Sequence, residues 1–113
     1  MNRTPLFVAL FLLGSFALAK PDVKAGGAIY TQNCVGCHNT QGQGKVGPNL
    51  KEASGWTYAL FKRAMLQDVD DKGVKLQPPM PWWGKVGFGR SGKAPSDAQI
   101  QNLQAYLKTL KFK

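Results

Sequence analysis

The stretch NCVGCHNT, Asn33 to Thr40, holds both cysteines and the single histidine of a 113-residue chain. Four chemistries can use such a cluster: a disulfide, a zinc site, a redox dithiol, or covalent attachment of a haem. A disulfide between cysteines three positions apart closes so small a loop that it removes little chain entropy. A redox dithiol of the C-x-x-C type sits in a βαβ setting, and no strand pattern is visible in this chain. Structural zinc takes four ligands; Asp68, Asp70 and Asp71 are the distant candidates to complete two Cys and one His. Cys34-Val35-Gly36-Cys37-His38 fits the haem chemistry on every count. In that C-x-x-C-H arrangement the two thiols bond the haem and the adjacent imidazole binds iron. Val35 and Gly36 supply the small spacers that a compact turn needs.

The N-terminus agrees. MNRTPLFVALFLLGSFALAK has Arg3 in a short leading region, an apolar run from Leu6 to Leu13 and the small-residue pattern Ala17-Leu18-Ala19. This pattern predicts a secretory signal, residues 1–19, cut after Ala19. The run is short of the roughly 20 apolar residues of a membrane span. The expected mature domain is residues 20–113, exported, with no span of its own. Export is also where bacteria attach haem to cysteines.

Charge and size add to the argument. The chain carries 15 Lys plus Arg against 6 Asp plus Glu, a net +9. Only Arg3 is lost with the leader, so the mature part is +8. Such a field favours acidic partners and speeds encounter at low salt. No nucleic-acid-binding motif accompanies the charge, so nucleic acid is not an expected partner. A domain this small has a marginal core of its own, and a bound group would supply what is missing.

Three helices are expected. The first runs from Asp22, a good N-cap, toward Cys34, with Val23, Gly26 or Gly27, Tyr30 and Cys34 in helical register. Its glycines cost about 1 kcal/mol each relative to alanine, which close approach of another helix would offset. The last, SDAQIQNLQAYLKTLK, opens with Ser96 and Gln99 in capping-box register. It then carries Ile100, Leu103, Leu107 and Leu110 as one apolar stripe. Between them SGWTYALFKRAMLQDV predicts a shorter helix from Trp56 to Asp68. Two loops remain, NTQGQGKVGPNLKEAS and a long Gly/Pro-rich one from Asp70 to Pro95. A loop that long is usually functional or wrapped around something. The expected class is all-α, three or more helices around one covalently attached haem, with long loops.

The chain resembles the class I c-type cytochromes from about Asp22 to Leu110. The resemblance rests on GGAIYTQNCVGCH, then GPNL at Gly47–Leu50, then PPMPWWG at Pro78–Gly84, then SDAQIQNLQAYLKTL. It implies the small cytochrome c fold, with Cys34 and Cys37 as thioether residues and His38 as proximal iron ligand. It implies that the carbonyl of Pro48 accepts a hydrogen bond from that imidazole, and that Gly26 and Tyr30 meet the terminal helix at Leu103 and Tyr106. It also points to Met80 as the second iron ligand. The residues concur: Met65 sits inside a predicted helix, where methionine is usually core filler, whereas Met80 is held between prolines. His/Met ligation raises the reduction potential and leaves iron no open position. The expected role is therefore electron transfer, not catalysis.

Trp56 and Tyr58 are candidate donors to a haem propionate. Of Trp82 and Trp83, one is expected against the haem and the other at a docking surface. PWWGKVGFGRSGKAP, with Gly84, Gly87, Gly89 and Gly92, is longer than compact relatives need and implies a surface excursion. The reading is a periplasmic monohaem electron carrier. It would link a dehydrogenase or membrane complex to an oxidase or reductase through acidic docking surfaces. Its rivals are a tightly held haem subunit of one dedicated oxidoreductase and a five-coordinate haem that binds gas or does peroxidase chemistry.

Overall fold

The computed structural model describes residues 20–113, and the expected leader and its cleavage point lie outside them. The architecture is all-α. Six α-helices and one 3-10 turn follow one another, and no strand forms among the described residues beyond one isolated bridge, Val69 to Lys75.

Helix α1 spans Val23–Asn33, capped by Asp22, whose carboxylate accepts from the Ala25 N–H at 3.0 Å. It stops one residue short of the expected Cys34. The amide of Cys34 still reaches the Tyr30 carbonyl, but its own φ of −120° breaks the helix. A single further turn, α2 at Val35–His38, follows at once. Helix α6 spans Asp97–Leu107 and begins with the full reciprocal box between Ser96 and Gln99. Helix α4 spans Tyr58–Gln67, two residues later than the expected start, because Thr57 takes the N-cap and its hydroxyl accepts from the Leu60 N–H. Asp68 closes it in a left-handed conformation, φ +59°.

Helices α1 and α6 cross where α1 has no side chains. A Cβ on Gly26 would lie 1.9 Å from the Asn102 carbonyl oxygen, and one on Gly27 would lie 2.9 Å from the Tyr106 ring. Gly26 thus lies closest to Asn102 and Tyr106. Tyr30 stacks obliquely on Tyr106 with ring centroids 5.5 Å apart. Around this crossing Tyr30, Ile100 and Leu103 are almost wholly buried, joined by Phe61, Ala64 and Met65 from α4. Burying these apolar surfaces is the main term holding the helices together.

The segment from Asp70 to Pro95, expected as a loop, holds two short turns: α5 at Trp83–Val86 and a 3-10 turn at Phe88–Arg90. Helix α3 is the short turn Lys51–Ser54. Phe88 and Trp83 are buried with ring centroids 5.4 Å apart, and Asn33 accepts from the Gly89 N–H at 2.8 Å. The glycine-rich excursion is therefore fastened to the end of α1 at its middle. Four-residue turns carry no readable period, which is why the sequence conceals them.

Candidate functional site

The helical turn α2 ends on His38, a buried imidazole, and the following loop folds back over it. Gly44 donates to the His38 carbonyl at 3.0 Å and Gly47 donates to the Cys37 carbonyl at 2.9 Å. A Cβ on Gly47 would sit 2.6 Å from the imidazole ring, so only glycine lets the loop lie this close. The loop then delivers Pro48, whose carbonyl accepts from His38 Nδ1 at 2.9 Å. A carbonyl can only accept, so Nδ1 carries the proton and Nε2 is left as the basic nitrogen. Such a bond fixes ring orientation and raises the basicity of the other nitrogen.

Cys34 and Cys37 are unpaired thiols, each half-buried. Burial, with a smaller contribution from Cys37, pushes the Cys34 thiol up to about 12. A redox dithiol needs the opposite, an easily formed thiolate. Around these residues lies a two-lobed cleft, each lobe about 380 Å³. Cys34, His38, Pro48, Leu76, Met80 and Trp83 line both lobes. The inner lobe reaches Tyr30, Phe61, Met65, Leu103 and Leu107, and the outer one opens past Cys37, Val46, Val74 and the Pro78–Pro79 pair. The structure thus brings Cys34, Cys37, His38, Pro48 and Met80 to one apolar cleft. Met65, buried at 7% exposure on α4, lines the inner lobe as well.

The two candidate donors part company. Trp56 lines the inner lobe, and its indole N–H is buried without a protein partner. The backbone of Trp56 is held from behind, where Gln104 donates to its carbonyl at 2.8 Å. Tyr58 instead donates its hydroxyl to the Asp97 carboxylate, tying the start of α4 to the start of α6. Burial and that carboxylate push the Tyr58 phenol well above its ordinary range, while Tyr58 and Lys62 hold the Asp97 carboxyl below its own. Tyr58 is therefore a structural tie and not a free donor at the cleft. The tryptophans divide too: Trp83 is buried in the wall of both lobes, and Trp82 lies outside it.

A covalently held planar macrocycle fits these residues. The apolar lining, an imidazole oriented through Nδ1 with Nε2 left free, two thiols beside it and one orphaned buried N–H are the donor set such a group requires. Sequence reasoning alone did not single out Tyr30, Leu76, Asp70, Asp71 and Lys72 as wall residues. Leu76 could have been suspected, being the one large apolar residue just before the proline turn. The others carry no signal short of the fold.

A model of the family described as Cytochrome c matches residues 23–111. The chain is similar to a cytochrome c-553-like protein of Synechocystis sp. (strain ATCC 27184 / PCC 6803 / Kazusa). The two are 32% identical over 113 residues, an alignment covering 93% of this chain and 91% of the relative.

Proposed function

This chain belongs to the cytochrome c family, and from that premise we propose that it is a one-electron carrier holding a single haem c through Cys34 and Cys37. His38 Nε2 and the Met80 thioether would hold its iron. One observation carries the reading. The same cleft gathers both thiols, Met80 and an imidazole whose Nδ1 is already committed to Pro48 at 2.9 Å. Haem supplies an iron that gains and loses one electron, and His/Met ligation biases it toward higher potential.

The protein's part is positional and electrostatic. Pro48 fixes the imidazole and its basicity. Tyr30, Phe61, Leu103 and Leu107 exclude water from the inner lobe. Trp56 offers its unpartnered N–H to a propionate. With both His38 and Met80 holding the iron, the chain would leave a substrate no place to bind, which supports transfer rather than catalysis.

Partners are acidic and transient on this reading, and the carrier is periplasmic after cleavage behind Ala19. From Lys72 to Ser96 the chain holds Lys72, Lys75, Lys85, Arg90 and Lys93 and no acid. Of these, Lys75 lines the outer lobe, which opens between Val46 and Val74, 64% and 57% exposed. An exposed apolar lip on a chain with a large excess of cations suits rapid, salt-sensitive encounter. Among the described residues no helix is long and apolar enough to cross a membrane.

Visible and near-infrared spectra of the holoprotein test the ligation. The ferric form should show the weak sulfur-to-iron band in the near infrared. The ferrous form should bind no carbon monoxide until Met80 is replaced by alanine. A high-spin spectrum without that band, or rapid carbon monoxide binding by the wild type, would transfer the protein to the gas-binding or peroxidase class.

A further inference from the structure

Helix α4 ends at Gln67 with its last carbonyls lacking partners within the helix. The amide of Asp68 takes the Ala64 carbonyl at 3.0 Å. The Leu66 carbonyl is taken from outside the helix, by Trp82 Nε1 at 2.8 Å. Trp82 stands two residues beyond Met80, with Pro81 between them. The turn after it is pressed on the same oxygen, since a Cβ on Gly84 would lie 2.1 Å from it.

The indole is also covered. Lys75 Nζ lies 3.9 Å and Lys85 Nζ 4.2 Å from its ring centroid. Lys75 in turn reaches the buried Asp68 carboxylate at 3.5 Å. Cations over the ring restrain the indole by cation–π attraction, so the N–H stays aimed at Leu66. Met80 packs against the core, but the one hydrogen bond of its own amide is a 3.2 Å bond to Gln77 within the same turn.

We propose that Trp82 is the positioning residue for Met80. Its bond to the Leu66 carbonyl latches the Met80 turn to the end of α4, and retention of the thioether on iron depends on an indole outside the cleft. The proposal rests on the reading of Met80 as axial ligand. It goes beyond that reading by assigning the ligand's hold to a particular hydrogen bond.

Added imidazole, competing with the thioether at fixed pH, measures how readily the turn opens. The ferric wild type and Trp82→Phe are titrated while the sulfur-to-iron band is followed, and urea unfolding is followed in parallel by circular dichroism. Phenylalanine keeps an aromatic face for the lysines and removes the N–H. The variant should lose the band at roughly three- to tenfold lower imidazole, the worth of one hydrogen bond. A merely structural role would lower the urea midpoint and leave the imidazole titration unmoved, which overturns the latch. A wild type with no band at all overturns the Met80 reading and the latch with it, so the two failures are distinct. Should Trp82→Phe not mature, wild-type hydrogen exchange decides. The Trp82 indole N–H should exchange at least about tenfold faster with imidazole bound, and an unchanged rate refutes the proposal.

Discussion

The α1–α6 crossing and the Met80 segment are held in place by different physics. At the crossing, backbone meets backbone over Gly26, and buried rings and aliphatic chains close around it. Along residues 68–90 Trp83 and Phe88 reach the core, and between them and α4 the chain is tied by single polar bonds, each between one side chain and one backbone atom. Arg63 donates to the Asp70 and Asp71 carbonyls at 3.0 and 3.2 Å, Trp82 to Leu66, and Gly89 to Asn33. The first kind of contact is many weak interactions sharing one shape. The second is a few directional bonds that can be lost one at a time. An unchanging scaffold thus stands beside a Met80 turn whose grip is adjustable.

The largest way to break the contrast is Gly26→Ala. Its methyl would meet a backbone oxygen at 1.9 Å, which cannot yield without moving a helix. The expected loss is ~3 kcal/mol or more of folding stability, read as a large fall in the urea midpoint, with all regions unfolding together.

The next effect also belongs to the crossing and is read through pH. Burial pushes the Tyr30 phenol up to about 12, against an ordinary value near 10. The unfolded chain therefore gives up this proton first. Its contribution to stability is whole below about pH 10 and declines as pH rises toward 12. Stability measured by urea across that window should fall in the wild type and fall less in Tyr30→Phe.

Arg63→Met sharpens the other side. Removing two bonds from a charged donor should cost ~2 kcal/mol locally. Hydrogen exchange at the Asp70 and Leu76 amides, which pair with Val74 and Asp68, should quicken far more than exchange in α1 or α6. Uniform acceleration would mean that the segment and the crossing are one cooperative unit, and the contrast drawn above would fail.

The smallest expected effect is Ser96→Ala, which deletes the cap of α6. It should cost ~1 kcal/mol and leave the sulfur-to-iron band unaltered.

The same contrast explains what could be read from the residues alone. The cost of Gly26 and Gly27 inside a helix already demanded a close neighbour, and the Ser96–Gln99 box marked the start of α6 to the residue. Pattern encodes shape, so these were legible. Trp56 and Tyr58 flank a helix cap, and no spacing rule tells which of two adjacent donors faces inward; the answer waits on where Asp97 lies. Nor could Trp82 be distinguished from Trp83, because the difference is a bond to a carbonyl 16 residues away. The turn at Trp83–Val86 is too short to declare itself. Chemistry confined to five consecutive positions was visible at once, and chemistry assembled across the fold was not.

The Gly26–Asn102 contact has a mechanical meaning as well. It joins the first and last helices, and Asp22 at the head of α1 is additionally held by the Asn102 side chain at 2.8 Å. Tension applied at residues 22 and 102 would load this clasp directly, since residues 27–101 lie inside the loop it closes. Under force the protein should hold its length until the clasp shears and then yield in one step, with the turn at Cys34–His38 exposed only afterwards.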